Sequence, residues 1–413
     1  MESTKIKVTT LGYYHRDKDM KVTRDLPPRR LNPINRKYFE YHTRRSPKVP
    51  NINLNINVPD YGAGELQMES LLEYIKQTDA TLNRNPNFVT NKQLLKCIAS
   101  GAYDEITVEV FRRQDAIFIL KKTNDQSYVT SFGKVFENFM TGKSEDEEIQ
   151  KEDVVRKAVF MARIPMETGG AVRVMYSGEI DAIDNSYQHY ELKVLAGGLN
   201  DYFWKNKSCV CYWQCILSNV PTMVVGSRTG KLNCDPKTRK PRNLPELSLY
   251  EIKAMNVSAM PLRAAQVANN PRNFIYKNEA RPRNAEWKVE DGEKRLQDFF
   301  KMISQTATQD KDCFIFSKTR RDSEWTIEPK IWTASPFCQL VVSSVPHYHI
   351  AWLRPPKGMT LDECFNNPPP AHCNGYLTLR GEPPRFLNIP LSEDRVFWFL
   401  LFLSTLPLFN AVH

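Results

Sequence analysis

Three carboxylates and a lysine stand within one short stretch of this 413-residue chain: Glu179, Asp181, Glu191 and Lys193. Side chains two apart on a strand share a face. In the segment Val172 to Asp184, read as a strand, Glu179 and Asp181 point one way and Ile180 and Ala182 the other. In the next, His189 to Leu195, Glu191 and Lys193 share a face opposite Tyr190, Leu192 and Val194. Asp184-Asn185-Ser186 between them is turn chemistry. Paired as a hairpin, the two strands bring the three acids and the ammonium onto one patch. Such like charges repel unless a cation neutralises them. Sets of oxygen donors suit Mg²⁺ or Mn²⁺, and one or two such ions activate water and neutralise charge on an attacked phosphate. The lysine adds a point charge for a phosphate oxygen or for the attacking water. The plain alternative is an exposed strand face laced by cross-strand salt bridges.

Helices must carry the remaining polar groups to this patch. Phe132, Val135, Phe136 and Phe139 form an apolar stripe that predicts a helix ending before Gly142. Glu137 lies one position off that stripe, within reach of a metal at the strand ends. A second helix is expected from about Lys207 to Asn219. Its polar side carries Lys207, Cys211, Gln214 and Ser218, opposite Val210, Trp213 and Leu217, which aims Gln214 at a ligand. A short strand, Thr222 to Gly226, follows. Upstream, Met68, Leu71, Leu72 and Ile75 predict a helix, and residues 105–120 predict two strands turning near Arg113-Gln114-Asp115. The pattern is α+β or mixed α/β.

Composition bounds the partners. The chain carries 57 basic and 47 acidic residues, a net charge of +10. Residues 16–48 hold eleven of the basic and four of the acidic residues, an excess of +7 that suits a phosphate backbone or a solvated arm. A second basic run includes Arg228, Lys231, Lys237, Arg239, Lys240 and Arg242; it either lines an RNA path or is a solvated loop. Hydrophobic residues at 41% and charged residues at 25% exclude global disorder, collagen and coiled coil. The start, MESTKIKVTT, has no apolar signal region, so a chain that is not secreted is expected. The apolar run from Val396 to Leu403, extended to Phe409, is short for a membrane span and reads as a buried helix or strand. Nine cysteines without a CxxC pair suggest reduced thiols in the nucleus or cytoplasm. The charged stretch 143–153 is given no chemistry, His347-Tyr348-His349 lacks a third zinc ligand, and Gly62-Ala63-Gly64 lacks the rest of a phosphate loop.

Asp181, followed ten residues later by Glu191-Leu192-Lys193, resembles the D…(D/E)xK core of restriction-endonuclease-like nucleases. Five local stretches together resemble the decapping exoribonuclease (DXO/Rai) family. Gly133-Lys134-Val135-Phe136-Glu137 is similar to that family's glycine-to-glutamate helix motif. Tyr176-Ser177-Gly178-Glu179-Ile180-Asp181 is similar to its E-x-D strand, and Tyr190-Glu191-Leu192-Lys193 to its E-h-K strand. Lys207 with Trp213-Gln214 resembles its K…WAQ helix, and Val224-Val225-Gly226-Ser227-Arg228 the strand after it. Order and spacing agree, and weaker similarity extends over roughly residues 7–330.

The resemblance implies a restriction-endonuclease-like core of mixed sheets with flanking helices around a central cleft. It implies Mg²⁺ or Mn²⁺ held by Glu137, Glu179, Asp181 and Glu191, with Glu191, Lys193 and Gln214 at the reacting centre and Lys207 and Gln214 on substrate. It further implies attack on RNA 5′ ends: removal of faulty, pyrophosphate or nicotinamide-dinucleotide caps, in some members with 5′→3′ exonuclease activity. An RNA 5′ end is the expected partner, together with a 5′→3′ exonuclease in some relatives; a monomer with no membrane contact is expected.

The sequence departs from the family at one substrate position. Where the family carries an arginine, this chain has Asn91, and the neighbouring Lys92 is expected to point elsewhere. Trp213 stands where the family has a small residue, and so is expected to reshape the pocket wall. A catalytically silent RNA-binding or protein-interaction relative is therefore a rival reading, and a DNA endonuclease a third. Residues 1–330 are read as the nuclease-like domain with a basic N-terminal arm. The proline-rich residues 331–413 are read as a C-terminal extension packed on it or continuing it.

Overall fold

The computed structural model describes residues 4–17, 19–40, 49, 52, 54, 65, 68–78, 85–122, 132–142, 154–229, 233–234, 241–243, 248–268, 287–322 and 324–345. The chain forms a compact unit from Met1 to Val345; residues 346–413 form a second unit that lies outside the described residues. With it go the readings at His347-Tyr348-His349 and Val396 to Phe409. Gly62-Ala63-Gly64 and the charged stretch 143–153 also lie outside the described residues.

In chain order, β1 (Lys7–Asp17) and β2 (Val22–Arg24) precede α1 (Pro33–Glu40) and α2 (Glu69–Gln77). Next come β3 (Phe88–Asn91), α3 (Lys92–Ser100), β4 (Glu105–Arg113), β5 (Ala116–Lys122) and α4 (Phe132–Thr141). β6 (Val154–Pro165), β7 (Ala171–Glu179), β8 (Ala182–Ile183) and β9 (His189–Ala196) follow, then α5 (Asp201–Asn206), α6 (Ser208–Ile216) and β10 (Thr222–Arg228). β11 (Asn233–Cys234) and β12 (Pro241–Asn243) make a small ribbon. β13 (Leu249–Asn256), α7 (Met260–Ala268), α8 (Val289–Thr306), β14 (Cys313–Thr319), β15 (Thr326–Pro329) and α9 (Pro336–Ser344) complete the unit. Among the described residues no helix is long and apolar enough to cross a membrane.

Two sheets organise these elements. One runs β15-β14-β4-β5-β3-β7-β6-β1-β2, the other β13-β10-β9-β8. The first is mixed: β3 lies parallel to β5 and β7, while β6 and β7 are antiparallel. In the second, β9 and β10 are parallel, as a crossover through α6 requires. α3, α6 and α8 cover one face of the large sheet with Leu95, Ile98, Trp213, Leu296, Phe300 and Ile303. Each such apolar side chain contributes roughly 1.5–3 kcal/mol by leaving water. α2 and α9 cover the other face through Leu71, Leu72, Ile75, Phe337 and Val341. α4 buries Phe132, Val135 and Phe136 of the predicted stripe, with Phe139 half-buried, together with Leu192 and Val224 of the small sheet.

Several elements differ from expectation. The strand expected through Asp184 ends at Glu179, because β7 is already paired on both sides by β3 and β6; Glu179 is in register with Lys157. The chain then leaves the large sheet, and only Ala182 and Ile183 pair with β9. The hairpin is therefore two residues deep. The helix expected from Lys207 is two helices, broken at Lys207 and begun earlier by Asn200, whose side chain caps Phe203 N. The described part of the basic segment, residues 16–17 and 19–40, is not a loose arm. Arg16 is the buried end of an eleven-residue strand, and α1 packs by Tyr38 and Phe39 near Phe139 and Tyr190. Trp213 faces the core, not a pocket wall: it is fully buried against Gly292, where any side chain would overlap its ring. Arg228 is buried over the Phe132 ring, and Lys231, Lys237, Arg239 and Lys240 lie outside the described residues.

Candidate active site

The acidic residues meet where the chain passes from the large sheet to the small one. Glu179 ends β7, Asp181 sits in the crossing, and Glu191 and Lys193 lie side by side on β9. Glu191 is 3% exposed, whereas Glu179 is exposed. The Leu192 amide donates to Asp181 Oδ2 at 2.8 Å, which pins the crossing segment to β9 despite the short pairing. Lys193 Nζ lies 2.5 Å from Glu191 Oε1, and Gln214 Nε2 donates to the same oxygen at 2.5 Å. Gln214 thus reaches the site from α6, as its place on the helix suggested. Glu137, on α4, pairs with Lys134 one turn away at 2.9 Å. Lys207 is exposed at the α5–α6 junction, and its charge reaches the centre's edge at Cys211.

Asn91 and Lys92 exchange the expected roles. Asn91 accepts the Leu94 amide at 2.9 Å, so its side chain caps α3. Lys92 does not point elsewhere: its ammonium donates to the Glu179 carbonyl at 2.7 Å and to Ser218 Oγ at 2.9 Å. The capped helix starts abruptly at the end of β3, beside Ser177 of β7, and this turns Lys92 across the end of that strand. Ser218 in turn donates to the Gln214 carbonyl at 2.8 Å, and its own carbonyl lies 2.7 Å from His189 Nδ1. One residue that the sequence reading missed is Lys96, a turn beyond Lys92 on α3; the lysine spacing was its only signal.

The electrostatics separate the acids. Burial, then the Glu191 and Glu137 carboxylates, push Asp181 well above the usual carboxylate range. Burial also raises Glu137 despite Lys134, with Glu179 adding to the rise. Burial alone would raise Glu191 too, but Lys193, Lys92 and Lys96 together hold it below its ordinary value. Lys193 is held above its own ordinary value, since Glu191 and Asp181 outweigh the effect of burial. Among the described residues no three of the four carboxylates bring oxygens within 4.8 Å of one another. Their donor set is nonetheless all oxygen, and burial raises both Asp181 and Glu137, with the Glu191 and Glu137 carboxylates adding to the rise at Asp181. That combination fits a hard divalent cation.

Residues 8–290 match the sequence profile of the RAI1 like PD-(D/E)XK nuclease family. The chain belongs to this family. Solved RAI1-type structures share its fold across most of their length. Rai1 of S. pombe is 15% identical, with a TM-score of 0.54, covering 80% of this chain and 97% of that one. Scheffersomyces stipitis Rai1, in complex with (3'-NADP)+ and calcium ion, is 14% identical, with a TM-score of 0.58 and coverage of 82% and 95%. Candida albicans Rai1, in complex with pU5-Mn2+, is 16% identical, with a TM-score of 0.54 and coverage of 79% and 91%. No curated protein matches the chain in sequence. The mixed-sheet nuclease fold read from the motifs is the fold of this family.

Proposed function

We propose that the protein is a divalent-metal-dependent hydrolase of RNA 5′ ends, removing faulty, pyrophosphate or dinucleotide caps. The observation that carries this reading is the Glu191 carboxylate, held at one oxygen by both Lys193 and Gln214, with Asp181 beside it. Support comes from the family and from relatives that hold a dinucleotide with calcium or a 5′-phosphorylated oligonucleotide with manganese.

Glu137, Glu179, Asp181 and Glu191 would hold the cation, which when bound supplies an activated water and neutralises charge at the attacked phosphorus. Lys193 stays protonated at neutral pH, so it acts as a fixed positive charge toward a phosphate oxygen or the attacking water and not as a base. Gln214 fixes the rotation of Glu191 by donating to Oε1. Ser218 and Lys92 tie α6 to the end of β7, so the acids of the two sheets keep one spacing.

The test offers purified protein, with Mn²⁺ or Mg²⁺, short RNAs bearing 5′ hydroxyl, monophosphate, triphosphate, unmethylated cap, methylated cap and nicotinamide-dinucleotide cap. A Glu179→Ala/Asp181→Ala double variant is the control. Metal-dependent product from any substrate, absent in the control, is expected. No product from any of them, with RNA still bound, would make the protein a silent RNA-binding relative. One observation favours that second reading: the side chain at position 91 is committed to capping α3 and, among the described residues, makes no other hydrogen bond.

A further inference from the structure

On β4, Glu109 and Phe111 are two apart and share a face; their register partners on β14 are Ile315 and Cys313. Cys313 therefore comes to the Glu109 side of the large sheet, the face that α2 and α9 cover. α9 brings Cys338 to the same place from its first turn, where Ser335 caps the helix by accepting the Cys338 amide. Glu109, Cys313 and Cys338 are all buried. β4 and β14 lie three and four places from β7 in the sheet order, so this group is separate from the acidic centre.

The spacing inside the group is that of a metal site. Cys313 Sγ lies 3.4 Å from Cys338 Sγ, and Cys338 Sγ donates to Glu109 Oε1 at 3.7 Å. Among the described residues, no other three metal-ligating side chains bring their donor atoms within 4.8 Å of one another. A tetrahedral zinc ion has bonds of about 2.3 Å to sulfur and about 2.0 Å to oxygen, which sets S–S at about 3.8 Å and S–O at about 3.5 Å. Both observed separations fall close to these.

The charge balance also admits the ion. Lys330 donates to Glu109 Oε1 at 2.8 Å, Lys122 lies 3.3 Å from Oε2, and Ser335 Oγ donates to Oε1 as well. Exchanging two thiol protons for one dication leaves the net charge of the group unchanged. Those protons now bridge Cys313 to Cys338 and Cys338 to Glu109, so the cation takes their place. The N-terminus of α9 favours the thiolate form of Cys338. A thiol pair that only fills space needs no buried carboxylate beside it, and burying one is costly even when it is paired.

We propose that Glu109, Cys313 and Cys338 form a zinc site that ties β4, β14 and α9 together. A water takes the fourth position of the ion. The site stands apart from the hydrolase reading: thiolate donors select zinc, whereas the all-oxygen acidic centre suits Mg²⁺ or Mn²⁺.

The test produces the full chain in cells supplied with Co²⁺ in place of Zn²⁺, so the cation meets the buried site as the chain folds. Cobalt at the acidic centre meets only oxygen, whereas cobalt bound by Cys313 and Cys338 shows a thiolate-to-metal charge-transfer band in the near ultraviolet. That band is expected in wild type and in Cys97→Ala and Cys209→Ala controls, and lost in Cys313→Ala and Cys338→Ala. Glu109→Gln should weaken cobalt retention about 100-fold, the upper end of what even outer partners of a metal contribute. Alanine at either cysteine leaves Glu109 with both lysines, so those variants should fold. Should one not, X-ray absorption of the wild-type zinc protein decides: sulfur at about 2.3 Å supports the site, and a shell of light atoms alone overturns it. A wild type without the thiolate band overturns it, as does a band that survives both alanine substitutions. Peptide mapping without reductant that recovers Cys313 joined to Cys338 by a disulfide, in a chain free of zinc, also overturns it and makes the pair a covalent clamp.

Discussion

Two buried clusters in this protein are built from the same residue types and end in opposite electrostatic states. In the first, Glu65 lies among Lys157, Arg16, Ser70 and Tyr14 under the large sheet. Lys157 Nζ contacts Glu65 Oε2, Arg16 Nε lies 3.5 Å from the same oxygen, and the Ser70 amide and hydroxyl donate to Oε1 at 3.0 and 2.7 Å. Burial would raise Glu65, but Lys157 and Ser70 bring it below its ordinary value. In the second cluster, Glu191 is similarly held, but among the described residues Asp181 accepts only the Leu192 amide, and burial with the neighbouring carboxylates drives it upward. A carboxylate that serves structure is matched with donors. A site that must accept a cation from solution keeps one carboxylate short of them.

The largest effect that separates the clusters is on activity. Asp181→Asn should reduce metal-dependent 5′-end hydrolysis to the level of the uncatalysed control, read by product release. The same change removes a crowded negative charge while retaining an acceptor for Leu192, so the melting temperature should rise. Glu65→Ala should do the opposite. It strands Lys157 and Arg16 without their carboxylate, an error worth about 3–5 kcal/mol in denaturant unfolding. Activity per folded molecule should survive. The pH responses follow the same division. Glu65 has a depressed folded pKa, so its stabilisation is present above the unfolded carboxylate value and fades as pH falls through the folded one. Wild type should therefore lose more stability than Glu65→Ala on acidification through that window. An equal loss in both would show that the cluster does not act as a unit.

A smaller effect tests the hold on Glu191. Gln214→Ala removes one of the two donors on Oε1 and leaves Lys193 in place. Partners that orient a ligand in this way usually contribute about 10–100-fold in activity or metal affinity. The expected loss is in that range, with apparent Mn²⁺ affinity falling alongside the rate. Unchanged metal affinity would make Gln214 a group acting on substrate and not on Glu191.

What the sequence disclosed follows from the range of its interactions. Strand alternation put Glu191 and Lys193 on one face, and the apolar stripe of α4 placed Glu137 beside the site; both are local patterns. The break at Glu179 was not readable, because it depends on β3 and β6 claiming both edges of β7 from residues 88–91 and 154–165. The Glu65 cluster was equally hidden, since its members come from positions 16, 65, 70 and 157. The direction of Lys92 was readable in principle. Asn91 followed by Leu94, Leu95 and Ile98 is a helix start with its cap, and a cap at residue 91 fixes where residue 92 must point.

That cap sets the smallest prediction. If position 91 serves α3 and not the substrate, Asn91→Ser should be nearly silent, because serine also caps. Asn91→Ala should lose about 1 kcal/mol of stability with little change in kcat. Asn91→Arg supplies a guanidinium but no cap, so it should destabilise much as alanine does. It gains rate only where the substrate phosphate is otherwise unserved. Denaturant unfolding and 5′-end hydrolysis of the three variants, measured side by side, separate these roles. A rise in hydrolysis with Asn91→Arg would mean that the substrate is gripped incompletely, and that the acidic centre is competent but underfed.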